Sequence, residues 1–258
     1  MRRKWLIPIT LLALAAGVGW WFRAPLTALW QATAGGVELG LRQKLQPDPK
    51  TYAVLTKDLE RWRVDLAECY QQARTAAERA TVLGDARIIL EKALPAMMHC
   101  WLGTPWDFNG TAKGPGAGKI ACGYFVATVL HDAGFRVDRY QLAQQASGNI
   151  LQSFLAKDAC ALTVGEDYQA FASRVEKLEP GIYIVGLDTH VAFLVWGGSE
   201  GFRFIHASGS RPWCVVDESR ADAGVLQRSR WRMLGNLTAS PAVLKRWLKA
   251  ERIVVRGA

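Results

Sequence analysis

The stretch Pro180-Gly181-Ile182-Tyr183-Ile184-Val185-Gly186-Leu187-Asp188-Thr189-His190-Val191-Ala192-Phe193-Leu194-Val195-Trp196 decides how this chain is read. Pro180-Gly181 is a turn signal. Two short β-branched and aromatic runs follow it, Ile182 to Leu187 and Val191 to Trp196, and a third, Phe202 to His206, comes after Gly197-Gly198 and Gly201. Such runs, punctuated by glycine, are the mark of a meander of antiparallel strands. Two further strands are expected near Trp213–Val216 and Trp231–Leu234.

Upstream of this stretch the period changes. Tyr52, Leu55, Leu59, Trp62, Leu66, Tyr70 and Ala73 fall at three- and four-residue steps, which predicts an amphipathic helix of about six turns. A second helix is expected from about Asp85 to Met98, with Pro95 placed to kink or shorten it. Residues 103–120 carry five glycines with Pro105 and Pro115 and read as a long loop without periodicity, a kind that tends to be functional or mobile. A helix from about 122 to 133 ends at Gly134, and two more are expected over 139–156 and 166–177. Helices first and strands second make an α+β domain, helices packed on an antiparallel sheet. The stripes at 51–98 read as packing surface, with a lid or an oligomer contact left open.

The N-terminus is of another kind. Arg2, Arg3 and Lys4 precede an uncharged run from Trp5 to Phe22 that Arg23 closes. As a helix it spans roughly 27 Å at about 1.5 Å per residue, near the thickness of the bilayer hydrocarbon. Trp5 on one side and Trp20-Trp21 on the other sit as interfacial aromatics, and the basic end predicts an N-in orientation. No Cys follows the run, which excludes lipoprotein processing, and the reading is an uncleaved signal anchor. The expected layout is therefore an anchor over 1–23, a juxtamembrane connector over 24–50, and a catalytic domain over 51–258 with a helical extension at 51–98. That domain lies outside the cytoplasmic membrane, in the periplasm.

The formal charge of +9 falls to +5 once the four basic residues of the first thirty are set aside. No stripe of Lys and Arg alternates with aromatics, so nucleic acid is not an expected partner; an anionic wall polymer or membrane surface is. Cys69, Cys100, Cys122, Cys160 and Cys214 make an odd number with no CxxC pair. In an oxidising space four could pair, and with Cys122 set aside three pairings remain open. Reduced structural thiols are equally compatible with this spacing.

Cys122 follows the glycine-rich loop and opens a helix. The unpaired backbone N–H groups and positive dipole end found there are expected to lower a thiol pKa and to serve an oxyanion. Two of the chain's four histidines, His190 and His206, lie in the strand region. Adjacent antiparallel strands joined by a turn centred near residue 198 bring them together, one as the base to Cys122 and the other as its orienter. His99, at a helix end, and His131, on the exposed side of the Cys122 helix, read as incidental.

Gly103-Thr104-Pro105-Trp106-Asp107-Phe108-Asn109-Gly110 resembles the GTPYxxGG segment before the nucleophile of NlpC/P60 cysteine peptidases. Ala121-Cys122-Gly123-Tyr124-Phe125-Val126 resembles their DCSGFV helix start, His190-Val191-Ala192-Phe193-Leu194 their HVGIY strand, and Ile205-His206-Ala207 their IHA strand. The resemblance covers roughly residues 85–210. It implies a papain-like fold with Cys122 as nucleophile, His190 as base and His206 as third member, and it makes Trp106, Asp107 and Gly123 the substrate and oxyanion loop residues. It implies hydrolysis of an amide in a peptidoglycan stem peptide or another peptide, with no metal or organic cofactor.

The departures are Ala121 for the family's Asp, Gly123-Tyr124 for its Ser-Gly, Trp106 for its Tyr, and about ten extra residues from Thr111 to Ile120. They leave an acyltransferase or transglutaminase-like enzyme and an inactive periplasmic binding module as alternatives. A zinc site built from Cys122, His190 and His206 is a third reading, although the usual paired-ligand spacings are missing.

Overall fold

The structure, a computed structural model, describes residues 45–197 and 201–258. The expected anchor over 1–23 and most of the connector lie outside the described residues. No helix among the described residues is long and apolar enough to cross a membrane.

Helix α1 (Pro49–Gln72) begins two residues before the expected domain boundary, with Pro49 at its first turn and the Asp48 carboxylate accepting from Thr51 N–H at 3.0 Å. Its stripe Tyr52, Leu55, Leu59, Trp62 and Leu66 is buried, as its spacing predicts. Helix α2 (Ala76–His99) starts nine residues earlier than expected. The reason is a capping box, in which Glu78 N–H donates to Thr75 Oγ1 at 3.1 Å and Thr75 N–H donates to Glu78 Oε2 at 3.0 Å. Pro95 stays inside the helix.

Helix α3 (Cys122–Asp132) runs as expected. The long helix expected over 139–156 is instead two, α4 (Arg139–Ala143) and α5 (Ser147–Phe154), because Ala146 turns extended between them. The turn lets α5 lie on the sheet, where Ser147 Oγ donates to the Leu187 carbonyl at 3.0 Å. Helix α6 covers Tyr168–Val175. Two short elements, α7 (Gly224–Arg228) and α8 (Pro241–Leu248), come late in the chain and were not expected.

Strand β1 (Arg136–Val137) pairs in parallel with β8 (Arg252–Ile253), apart from the main sheet. The main sheet contains β2 (Ala161–Val164), β3 (Gly181–Leu187), β4 (Val191–Trp196), β5 (Arg203–Ala207), β6 (Val215–Ser219) and β7 (Trp231–Asn236). Its order is β2-β7-β3-β4-β5-β6, and every neighbouring pair is antiparallel. The meander is thus β3 to β6, while β7 crosses back to the other side of β3. The fold is α+β, with helices on both faces of the sheet.

Alternation along the strands sorts the two faces. Tyr183, Val185, Leu187, Ala192, Leu194, Phe204 and Leu234 share one core with Phe171, Ala172 and Val175 of α6 and Leu226 of α7. The other face carries Phe193, whose ring meets Phe125 of α3 edge-on at 5.9 Å between centroids. The extension is part of the body rather than a lid. Tyr52 of α1 donates its hydroxyl to Asp132 Oδ2 at 2.9 Å, and buried Arg63 donates to the Leu248 carbonyl at 3.0 Å. All five cysteines are free thiols.

Candidate active site

Three elements bring the expected residues together. Cys122 is the first residue of α3, and Ala121 before it offers no side-chain acceptor to cap the helix. A side-chain cap would occupy the N–H groups of the next turn. Here the N–H groups of Cys122, Gly123 and, across the cleft, Val191 act on the Cys122 sulfur. The thiol therefore meets the sheet at the start of β4. His190 is the last residue of the turn before β4 rather than its first strand residue, and its carbonyl accepts from Leu187 N–H at 2.8 Å.

His206 lies in β5. The register Phe193↔Ile205 and Leu194↔Phe204, carried along the strands, sets His206 on the same face as His190, two residues out of step. The imidazoles meet at this diagonal, His190 Nε2 to His206 Nδ1 at 2.8 Å. One residue that sequence reasoning missed completes the line: His206 Nε2 lies 3.1 Å from Glu218 Oε2 in β6. His206 is fully buried (0% exposed), so its two ring nitrogens are spent on these two partners.

The carboxylate orders the protons along this line. An ionised carboxylate only accepts, so a His206 ring carrying one proton places it on Nε2 and offers Nδ1 as acceptor. His190 then carries its proton on Nε2, which leaves the Nδ1 lone pair toward the cleft. This is the tautomer a base to Cys122 needs. No direct hydrogen bond joins Cys122 to His190 among the described residues; the two share the walls of one cleft.

Both groups are neutral at rest. Burial, with the neighbouring His206 adding to it, pushes the His190 imidazole down to about 3. Burial also pushes the Cys122 thiol up, against the pull of the three backbone N–H groups. The lowering expected from the helix start is thus present but outweighed by desolvation. Cys122 and His190 therefore do not rest as a thiolate–imidazolium ion pair.

The cleft runs to both sides of Cys122. One arm, of about 830 Å³, is walled by Trp106, Phe108, Tyr124, Ser210 and Arg228. The other, of about 730 Å³, is walled by the side-chain amides of Gln145, Asn149 and Gln152 and by Trp231. Cys122, Gly123, His190 and Asp188 belong to both arms.

The loop before Cys122 is more ordered than its composition suggests. Ile120 N–H donates to the Pro105 carbonyl and Ala121 N–H to the Gly110 carbonyl, each at 2.9 Å. Buried Arg139 clamps it to α3, donating to Thr128 Oγ1 at 2.5 Å and to the Thr111 and Ala112 carbonyls at 3.0 and 2.6 Å. Trp106 faces the cleft and packs against Trp213 at 5.6 Å between ring centroids. Gly123 lines the cleft beside the sulfur.

Asp107, expected with Trp106 at the substrate, turns away from both arms. Its carboxylate accepts from Asn109 N–H at 2.9 Å and from Lys119 Nζ at 3.1 Å, inside the loop itself. His99 pairs with Asp217 at 2.9 Å and His131 with Asp132 at 2.9 Å, so neither joins the site. Among the described residues no three His, Cys, Asp or Glu side chains gather as metal ligands, and the two imidazoles bind each other. A zinc site therefore has no ligand set in this arrangement.

No family model matches the chain, and no curated protein or solved structure is significantly similar to it.

Proposed function

We propose that this chain is a thiol-dependent hydrolase of amide bonds, a divergent relative of the NlpC/P60 peptidases with a papain-like arrangement. Its most natural substrate is a peptidoglycan stem peptide or a related peptide, met outside a cytoplasmic membrane to which residues 1–23 anchor the chain. The observation that carries this reading is the hydrogen-bonded line His190–His206–Glu218, whose free imidazole nitrogen opens on the cleft that also holds Cys122.

In this mechanism the Cys122 thiol proton passes to His190 Nδ1 as sulfur attacks the substrate carbonyl carbon. First-turn N–H groups of α3, free of a side-chain cap, receive the oxyanion. The tetrahedral adduct collapses to a thioester, and the leaving amine takes the proton back from His190. Water, deprotonated by His190, then cleaves the thioester and restores the thiol. Trp106 walls the acyl site, and Gly123 keeps the start of α3 close to its neighbours.

The test is digestion of purified peptidoglycan by the full-length protein, with released fragments identified by mass. Fragments released by the native protein and absent with Cys122→Ala are expected. Equal release by the variant, or none by either protein, overturns the reading. Because the cleft is open on both sides of Cys122, an amine acceptor has room where water attacks. A new amide formed in the presence of an amine, at the expense of the free acid, would reassign the enzyme to acyl transfer.

A further inference from the structure

Two arms meeting at the thiol differ in charge. The arm toward α5 holds neutral amides, and the Asp188 carboxylate common to both arms is already engaged. It accepts from Ser229 Oγ at 2.5 Å and from Arg230 N–H at 2.9 Å. In the arm toward α7, Arg228 is the one Lys or Arg side chain among the described residues that line either arm.

Two nearby arginines are committed elsewhere. Arg220 pairs with Glu176 at 2.7 Å. Arg232 donates to the carbonyls of Leu226, Glu166 and Gln227 at 2.8 to 3.1 Å. Arg228 has no such acceptor among the described residues and is exposed to the cleft. Its guanidinium folds back along α7 over Gly224, where a Cβ would stand 3.1 Å from Nη1, so the absence of a side chain there gives it room.

A planar guanidinium presents a fork of donors that matches a carboxylate, and such charge-assisted pairs are the stronger hydrogen bonds. We propose that Arg228 is the docking point for a carboxylate on the substrate, so that the amide cleaved by Cys122 belongs to an acidic peptide whose free carboxylate lies in the α7 arm. This rests on the thiol-hydrolase reading and names the substrate class of that same site. The open second arm takes the rest of the chain, as an enzyme cutting within a peptide requires.

The experiment uses thiol alkylation, which needs no turnover. Full-length protein is treated at neutral pH with iodoacetyl-glycine or with its carboxamide, two reagents of one length that differ in the carboxylate. Modification of Cys122 is followed by peptide mass, with the partly exposed Cys69 and Cys160 as internal references. Relative to those references, the acid should label Cys122 about tenfold faster than the amide, the discrimination expected of one charge-assisted pair in a half-open cleft. In Arg228→Gln that ratio should fall to about one, and Arg228→Lys should keep part of it. An acid-to-amide ratio of one in the native protein, or a preference that survives Arg228→Gln, overturns the carboxylate proposal while leaving the nucleophile in place. Failure of both reagents at Cys122 would sink the thiol reading itself, and Arg228 with it.

Discussion

Glu218 shows how much a single side chain can decide at this site. Without it His206 would keep either tautomer, and His190 could present Nδ1–H to the cleft instead of a lone pair. With it, each proton along the line has one place. Glu218→Ala is therefore expected to lower kcat about ten- to a hundredfold with little change in KM, the usual cost of losing an orienting partner. Glu218→Gln should recover part of the loss, since its amide oxygen still accepts from His206 Nε2. A fall in thermal stability without loss of kcat would assign Glu218 a purely structural role. The residue was out of reach of the sequence for a definite reason. The last strand of the meander was expected to end at Val216, but β6 continues to Ser219. Once β6 is that long, the pairing Phe204↔Glu218 places Glu218 on the face of His206 by strict alternation. Cys122, His190 and His206 were legible because a cysteine after a glycine-rich loop and histidines at strand ends are local patterns. Asp107 shared the loop pattern, but its local ion pair with Lys119 claims it.

Among the elements, α3 carries the Cys122 thiol and its first turn is packed to contact. A Cβ on Gly123 would lie 2.3 Å from the Ala143 carbonyl oxygen, a backbone atom that no rotamer change can move aside. Gly123→Ala should thus displace either the start of α3 or the end of α4. The expected cost is about 1–3 kcal/mol of stability in urea unfolding, together with loss of Cys122 reactivity. A variant of native stability and native labelling rate would show that this approach is slack. Element boundaries were legible where a stripe or a stop residue marks them, as for α1 and α3. They failed where the deciding signal was a side-chain hydrogen bond, as at the Thr75–Glu78 capping box, or a fold-back with no breaker residue, as between α4 and α5.

At the scale of the described molecule the extension and the last helix hold the far end of the Cys122 helix. Tyr52 of α1 bonds Asp132, and Trp247 Nε1 of α8 donates to the Ala133 carbonyl at 2.7 Å. A buried neutral histidine also ties global stability to pH. His190 has a folded-state pKa near 3 against an ordinary value of 6.5, so the unfolded chain binds a proton that the folded one refuses. The stability due to keeping His190 neutral is complete above pH 6.5 and is lost as pH falls toward 3. Between about pH 6.5 and pH 4.5, above the ordinary carboxylate range, this loss is separable from that of the acidic residues. The urea midpoint of the native protein should fall over that window, and His190→Gln should flatten the fall. An identical slope in both proteins would place the protonation elsewhere.

By itself the sequence determined the α+β class, the helix stripe at 52–66, the antiparallel meander, and the candidates Cys122 at a helix start with His190 and His206 in the strand region. Each follows from a period or a neighbour relation within a few residues. Only the tertiary structure decided the return of β7 beside β3, the commitment of Glu218 to His206, the placement of Arg228 in the cleft, and the rise of the Cys122 thiol pKa. These depend on which strands pair, in what register, and how much water the packing removes. Such relations join residues far apart in the chain, and no local pattern encodes them.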